Sequence, residues 1–202
     1  ATFVYDGDGN KVKATLGGAT TVYIGDYYEL TSGSARRYYY LWGKRVAMRD
    51  GSGVLYYLLG DHLGSSNVSY RADTQATVTQ RYYVWGSVRS ATGTMPTDYA
   101  FTGQRLDSGS NLLYYGARWY DPALARFVSP DTIVPQPGNP QDLNRFSYCR
   151  NDPVGLTDPD GHAYSAAVGG VWPHFTQEDL KRADLLGMRY ILTPYGYIDI
   201  AH

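Results

Sequence analysis

Through the first 120 positions, short runs rich in Tyr, Val and Thr alternate with clusters of Gly, Asp, Asn and Ser, with a period of about 20 residues. Runs this short, closed by residues that tolerate positive φ, fold as antiparallel hairpins in series. The run 2–5 leads into Asp6-Gly7-Asp8-Gly9-Asn10, and 11–16 returns. The same grammar recurs at 36–41, 44–49 and 54–59, then at 77–85, 87–90 and 111–120. Composition agrees, since 21 Tyr and 23 Gly outweigh the 18% of charged residues. Tyrosine suits a half-buried pleated surface, and its ring can pair across strands while its hydroxyl reaches water.

The formal net charge of -1, from 18 basic and 19 acidic side chains, gives no broad attraction for nucleic acid or anionic lipid. The lone Cys149 cannot close an internal disulfide. No apolar run approaches the roughly 18 residues needed for a membrane helix, so membrane insertion is not expected. The opening ATFVYDGDGN carries neither the basic nor the apolar region of a signal peptide.

Four prolines at 130–140 exclude a central strand or a helix interior and predict a surface strap. Two Asp-Pro steps at 152–159 predict successive turns. Further on, Thr176 with Asp179 forms a capping pattern and Gly187 a stop, which predicts a helix over 177–186. Strands are expected at 190–192 and 195–200.

Several blocks in a fixed order carry a family resemblance: YYLLGDHLGSS at 56–66, RYYVWGSV at 81–88, YAFTGQRLDSGSNLLYYGARWYDPALARFVSPD at 99–131 and NRFSYCRNDPVGLTDPDG at 144–161. They resemble the RHS repeat-associated core, and YDGDGNKV at 5–12 looks like a YD repeat. The resemblance implies an all-β chain of serial hairpins forming part of a YD-repeat β-shell, with a small mixed C-terminal tail. It divides the chain into YD-repeat hairpins at 1–55, the core at 56–162 and a variable tail at 163–202. The function expected is structural, closing a cargo-encapsulating or cell-surface scaffold, on a secreted or surface-exposed protein.

Some members of that family cut themselves after the core by chemistry resembling that of aspartic proteases. The resemblance carries the two carboxylates over as Asp131 and Asp158, and the cut to the backbone around Gly161, His162 and Ala163. Two close carboxyl groups cannot both ionise cheaply, so one keeps a proton and serves as acid while the other serves as base. Thr132, Ala125 and His162 depart from the family's usual proline, glycine and leucine.

Other expected partners are the rest of the shell, a C-terminal cargo, or a protein or carbohydrate bound by exposed tyrosines. No cofactor, metal or nucleic acid is implied. His62 reads as a turn histidine, because no second His or Cys lies at ligand spacing. Arg118 and Arg126, which flank a Tyr-Asp-Pro turn, read either as stabilisers of carboxylates near Asp131 through charge-assisted hydrogen bonds or, the preferred reading, as structural partners of Asp121, and Cys149 reads as a small buried apolar residue.

Overall fold

The computed structural model describes residues 2–134, 137–167, 190–193 and 196–199. Ten antiparallel strands succeed one another in chain order: β1 (Thr2–Tyr5), β2 (Lys11–Leu16), β3 (Ala19–Ile24), β4 (Tyr28–Thr31), β5 (Ser34–Leu41), β6 (Lys44–Arg49), β7 (Leu55–Gly60), β8 (Ser66–Arg71), β9 (Thr77–Tyr82) and β10 (Val88–Ala91). Each pairs with its sequence neighbours, so the sheet is one meander, continuous across position 55. Short acidic turns set the reversals. Asp6 Oδ1 accepts the amides of Asp8 and Asn10, and Asp50 Oδ1 those of Ser52 and Val54.

Register separates the two faces. Tyr38 pairs with Met48, Met48 with Tyr56 and Leu58 with Ser69. Tyr38, Met48 and Leu58 are buried together with Tyr99, and Tyr99 meets Tyr38 edge to face at 5.1 Å. Residues of opposite parity, including Val22, Ile24, Leu30, Tyr39, Tyr57 and Leu59, are exposed.

The chain then turns back onto the buried face. A second sheet comprises β11 (Arg105–Asp107), β12 (Leu112–Tyr114), β13 (Trp119–Asp121) and β14 (Arg126–Phe127). The run at 111–120, read from sequence as a single strand, is broken between β12 and β13 by a turn in which Gly116 has φ +84°. Lys11 Nζ reaches from β2 to the rings of Tyr114 and Trp119, at 4.3 and 5.1 Å from their centroids, and so pins the first hairpin to this sheet.

The core of the domain is aromatic. Tyr115 lies 5.5 to 5.6 Å, edge to face, from Tyr120, Phe127 and Tyr148, and all four are buried. Gly86 lets Phe101 close one side, since a Cβ there would stand 2.5 Å from the Phe101 ring.

Beyond the second sheet, short 3-10 turns at Pro140–Leu143 and Cys149–Asn151 precede a small pair, β15 (Leu156–Thr157) and β16 (Ser165–Ala166). This compact unit runs through Ala167. In a separate unit, β17 (Tyr190–Thr193) pairs with β18 (Gly196–Asp199) as a hairpin. The helix expected over 177–186 lies outside the described residues, among which no α-helix occurs.

Candidate active site

The β12–β13 turn places Arg118 at the entrance to β13, with its guanidinium 3.5 Å from the centroid of the Phe127 ring. It is a cation set beside an aromatic core, and apolar surroundings make such a charge costly unless anions and carbonyls surround it. They do. Arg118 Nη2 lies 2.9 Å from Asp131 Oδ2 and 3.2 Å from Asp158 Oδ2. Its Nη1 donates to the Arg145 carbonyl at 2.9 Å, and its Nε donates to the Gly161 carbonyl. Of the two expectations for Arg118, the preferred pairing with Asp121 is therefore corrected, and the structure has it beside Asp131. Arg126 is the residue opposite Asp121 across β13 and β14, and its guanidinium lies over Phe146.

Asp131 and Asp158, 27 residues apart in sequence, thus converge on a single nitrogen, with oxygens no further apart than those two distances laid end to end, about 6 Å. Both carboxylates are buried, at 4% and 3% exposure. In the strap after β14, Arg145 fixes the Asp131 backbone: the Asp131 N–H donates to the Arg145 carbonyl, and the Arg145 side chain donates through Nη1 to the Asp131 carbonyl, each at 2.9 Å. The turn after β15 fixes Asp158, whose Oδ1 accepts the Gly161 N–H at 2.8 Å.

The peptide between Gly161 and His162 runs through this cluster. Gly161 is required there by close approach. Its φ is +83°, and a Cβ would come within 2.8 Å of the Tyr115 carbonyl oxygen and 3.1 Å of the Arg118 backbone nitrogen. His162 and Ala163 donate their amides to Asp160 Oδ1, at 3.0 and 3.2 Å. The His162 ring returns to Asp131, with Nδ1 2.9 Å from Oδ1, an oxygen that also accepts the Ile133 N–H.

The electrostatics are asymmetric. Burial pushes the Asp158 carboxyl above its ordinary range, and the Gly161 N–H and the Arg118 charge only partly offset this. Burial works the same way on Asp160, but the His162 and Ala163 amides outweigh it and hold that carboxyl low. Arg118 is itself drawn below its usual value by burial, against the pull of both aspartates. Beside the cluster lies a cavity of about 30 Å³, lined in part by Arg118, Asp131, Asp158 and His162, with room for one or two waters.

The other singled-out residues lie elsewhere or play supporting parts. His62 Nε2 meets the Val154 carbonyl at 3.2 Å, while Asp61 caps the turn around it. Among the described residues, no cluster of His, Cys, Asp and Glu could hold a metal ion. Cys149 is buried, and burial pushes its thiol up to about 12.

Comparison with known proteins agrees with this architecture. The family model for the Teneurin YD-shell matches residues 19–154. The chain is 27% identical over 177 residues to the tRNA3(Ser)-specific nuclease WapA of Bacillus spizizenii, a match covering 80% of this chain and 7% of that protein. It is 32% identical over 114 residues to toxin subunit YenC1 of Yersinia entomophaga, covering 54% of this chain and 11% of the relative. The crystal structure of TcdB2-TccC3 superposes with a TM-score of 0.64 over 79% of this chain and 9% of that one, at 22% identity. The chain therefore spans a small part of the length of these relatives. The match to the family covers most of the meander and of the sheet that packs on it, and the chain belongs to the Teneurin YD-shell family, as a β-shell segment of the RHS/YD-repeat type.

Proposed function

We propose that this segment closes one end of a YD-repeat shell and cuts its own chain once, after Gly161, to free the downstream residues from the wall. One observation carries the reading: Arg118 holds both buried carboxylates and the carbonyl of the Gly161–His162 peptide in a single set of ion pairs and hydrogen bonds. A carbonyl oxygen that already accepts a charged donor is preorganised for the negative charge it acquires when attacked.

The chemistry balances with water as co-reactant. Asp131, as the base, takes a proton from a water in the adjoining cavity, and the water oxygen bonds to the Gly161 carbonyl carbon. Arg118 holds the resulting oxyanion. Asp158, which burial favours in its protonated form, gives its proton to the His162 nitrogen as the C–N bond breaks. The new Gly161 carboxyl group passes its remaining proton to the released His162 amine, so the products are a Gly161 carboxylate and a His162 ammonium group, with Asp131 left protonated and Asp158 ionised. A shell that encloses a cargo, on a protein exported from the cell, is the setting this reading supplies, and the toxin subunits among the relatives support it.

One observation favours a second reading, a latent junction. The His162 ring occupies Asp131 Oδ1, where the attacking water would have to be held. Intact mass under denaturing conditions separates the two. Cleavage in the wild type, absent in Asp131→Asn and in Asp158→Asn, establishes the first reading. An uncut wild type that is cut once His162→Leu is introduced establishes the second, and an uncut chain in both refutes self-cleavage.

A further inference from the structure

Downstream of the junction, residues 164–167 are held to the domain at points that do not depend on the Gly161–His162 bond. The Tyr164 ring packs against the buried aromatic core, and the Arg150 guanidinium lies 4.3 Å from its centroid. The Tyr164 hydroxyl donates to Asp142 Oδ2 at 3.3 Å. Asp142 also receives Arg150 through a two-pronged contact, Nε to Oδ1 at 2.7 Å and Nη2 to Oδ2 at 2.6 Å, a planar pairing that fixes the guanidinium under the ring. The backbone adds a strand. Leu156 pairs with Ala166 and Thr157 with Ser165, and the Ala167 N–H donates to the Gly155 carbonyl at 2.8 Å.

Both sides of the clamp are locked from elsewhere in the fold. The Asn139 carboxamide caps the 3-10 turn carrying Asp142. Arg150 lies in the middle of three successive non-glycine residues with positive φ, at 49°, 54° and 64°, a conformation that L residues adopt only when surrounding contacts impose it.

We infer that the Asp142–Arg150 pair and the edge of β15 form a docking site for the chain's own segment 164–167, which keeps that segment and the residues beyond it bound after the junction is cut. The inference rests on the self-cleavage reading only for the occasion on which it acts. The recognition chemistry is that of strand addition, in which main-chain bonds supply affinity and one aromatic anchor supplies position. Cutting and release are thereby separate steps, the second needing the clamp to open.

The test uses the full chain and measures mass twice. Denaturing mass reports whether the bond is cut, and native mass reports whether the 162–202 fragment stays. For a cut wild type, the expected native species carries both pieces, and Tyr164→Ala loses the fragment. Arg150→Lys, which keeps the charge but not the planar face, weakens retention in the same direction and serves if Tyr164→Ala does not fold. A wild type that sheds the fragment under native conditions overturns the inference, as does a fragment retained equally by both variants. If denaturing mass shows an uncut chain, the self-cleavage reading fails and docking is read by amide exchange at Ala167. Protection in the wild type that falls about tenfold or more in Tyr164→Ala supports the site. Equal exchange in the two chains overturns it.

Discussion

Replacing Arg118 with Met keeps much of the apolar stem against Phe127 and removes the charge that Asp131 and Asp158 share. In the wild type, Arg118, at 6% exposure, pairs with two carboxylates and donates hydrogen bonds to Asp158 and two carbonyls. Without it, two buried carboxylates face each other with no cation between them. Removing one partner of a buried ion pair costs about 3–5 kcal/mol, and we expect about 4 kcal/mol at pH 7. At a urea dependence of about 2 kcal/mol/M, that loss lowers the unfolding midpoint by about 2 M. The pH dependence distinguishes charge from packing. In Arg118→Met the Asp158 carboxyl, already raised by burial, loses the charge that partly offsets it and rises further, so its stabilising contribution is full below the unfolded pKa and is lost as pH rises through the raised folded value. The penalty should therefore shrink near pH 4 towards that of the lost hydrogen bonds, about 1–2 kcal/mol. Urea unfolding at both pH values measures this directly. A loss under about 1 kcal/mol at pH 7, or one that does not change with pH, would refute the assignment of Arg118 as the cation that neutralises the pair.

The meander is legible in sequence because its turns are made by local chemistry. Asp6 and Asp50 bond amides two and four residues on, so each hairpin announces its own reversal. Strands β3, β4 and β8 are harder to delimit, since β3 and β4 are joined by the single short turn at Gly25 and flanked by polar threonines rather than an Asp-Gly signal. The site is legible in a different way. Nothing in local pattern links Asp131 to Asp158, and only a family resemblance brings them together. Sequence proximity favours the wrong one of two partners for Arg118, because its nearest acid along the chain, Asp121, is three residues away, whereas its partners lie 13 and 40 residues on. The signal that could have found it is a single cation within the aromatic run Tyr114-Tyr115-Gly116-Ala117-Arg118-Trp119-Tyr120, since a charge set into a strand pair that forms the core needs a buried counter-charge. The clamp on Tyr164 has no such signal, because Asp142 and Arg150 come from two 3-10 turns whose conformation is imposed by tertiary contacts.

The remaining perturbations address the core, the junction turn and the titration of Asp158. Phe101→Ala empties a 2%-exposed site under Gly86 and should cost about 3–5 kcal/mol by urea unfolding, with a loss below about 1 kcal/mol counting against Phe101 as a core element. Cys149, its thiol raised to about 12, should resist a thiol-specific disulfide reagent at pH 8 in the folded chain and react at once in denaturant; rapid native labelling would contradict its burial. Gly161→Ala forces a side chain to within 2.8 Å of the Tyr115 carbonyl at φ +83°, and should cost about 2 kcal/mol or more and abolish any cut at that bond, as urea unfolding and denaturing mass would read. Asp158→Asn tests the asymmetry of the pair, because the amide mimics the protonated acid and can still accept the Gly161 N–H through its oxygen. Burial raises the folded pKa of Asp158 above its unfolded value, so the wild type has its full stability below the unfolded pKa and loses part of it as pH rises through the folded one. The stability of Asp158→Asn relative to wild type should therefore increase between about pH 3 and pH 7 in urea titrations. A difference that instead falls with rising pH would mean that Arg118 holds Asp158 ionised, and would remove it as the proton donor.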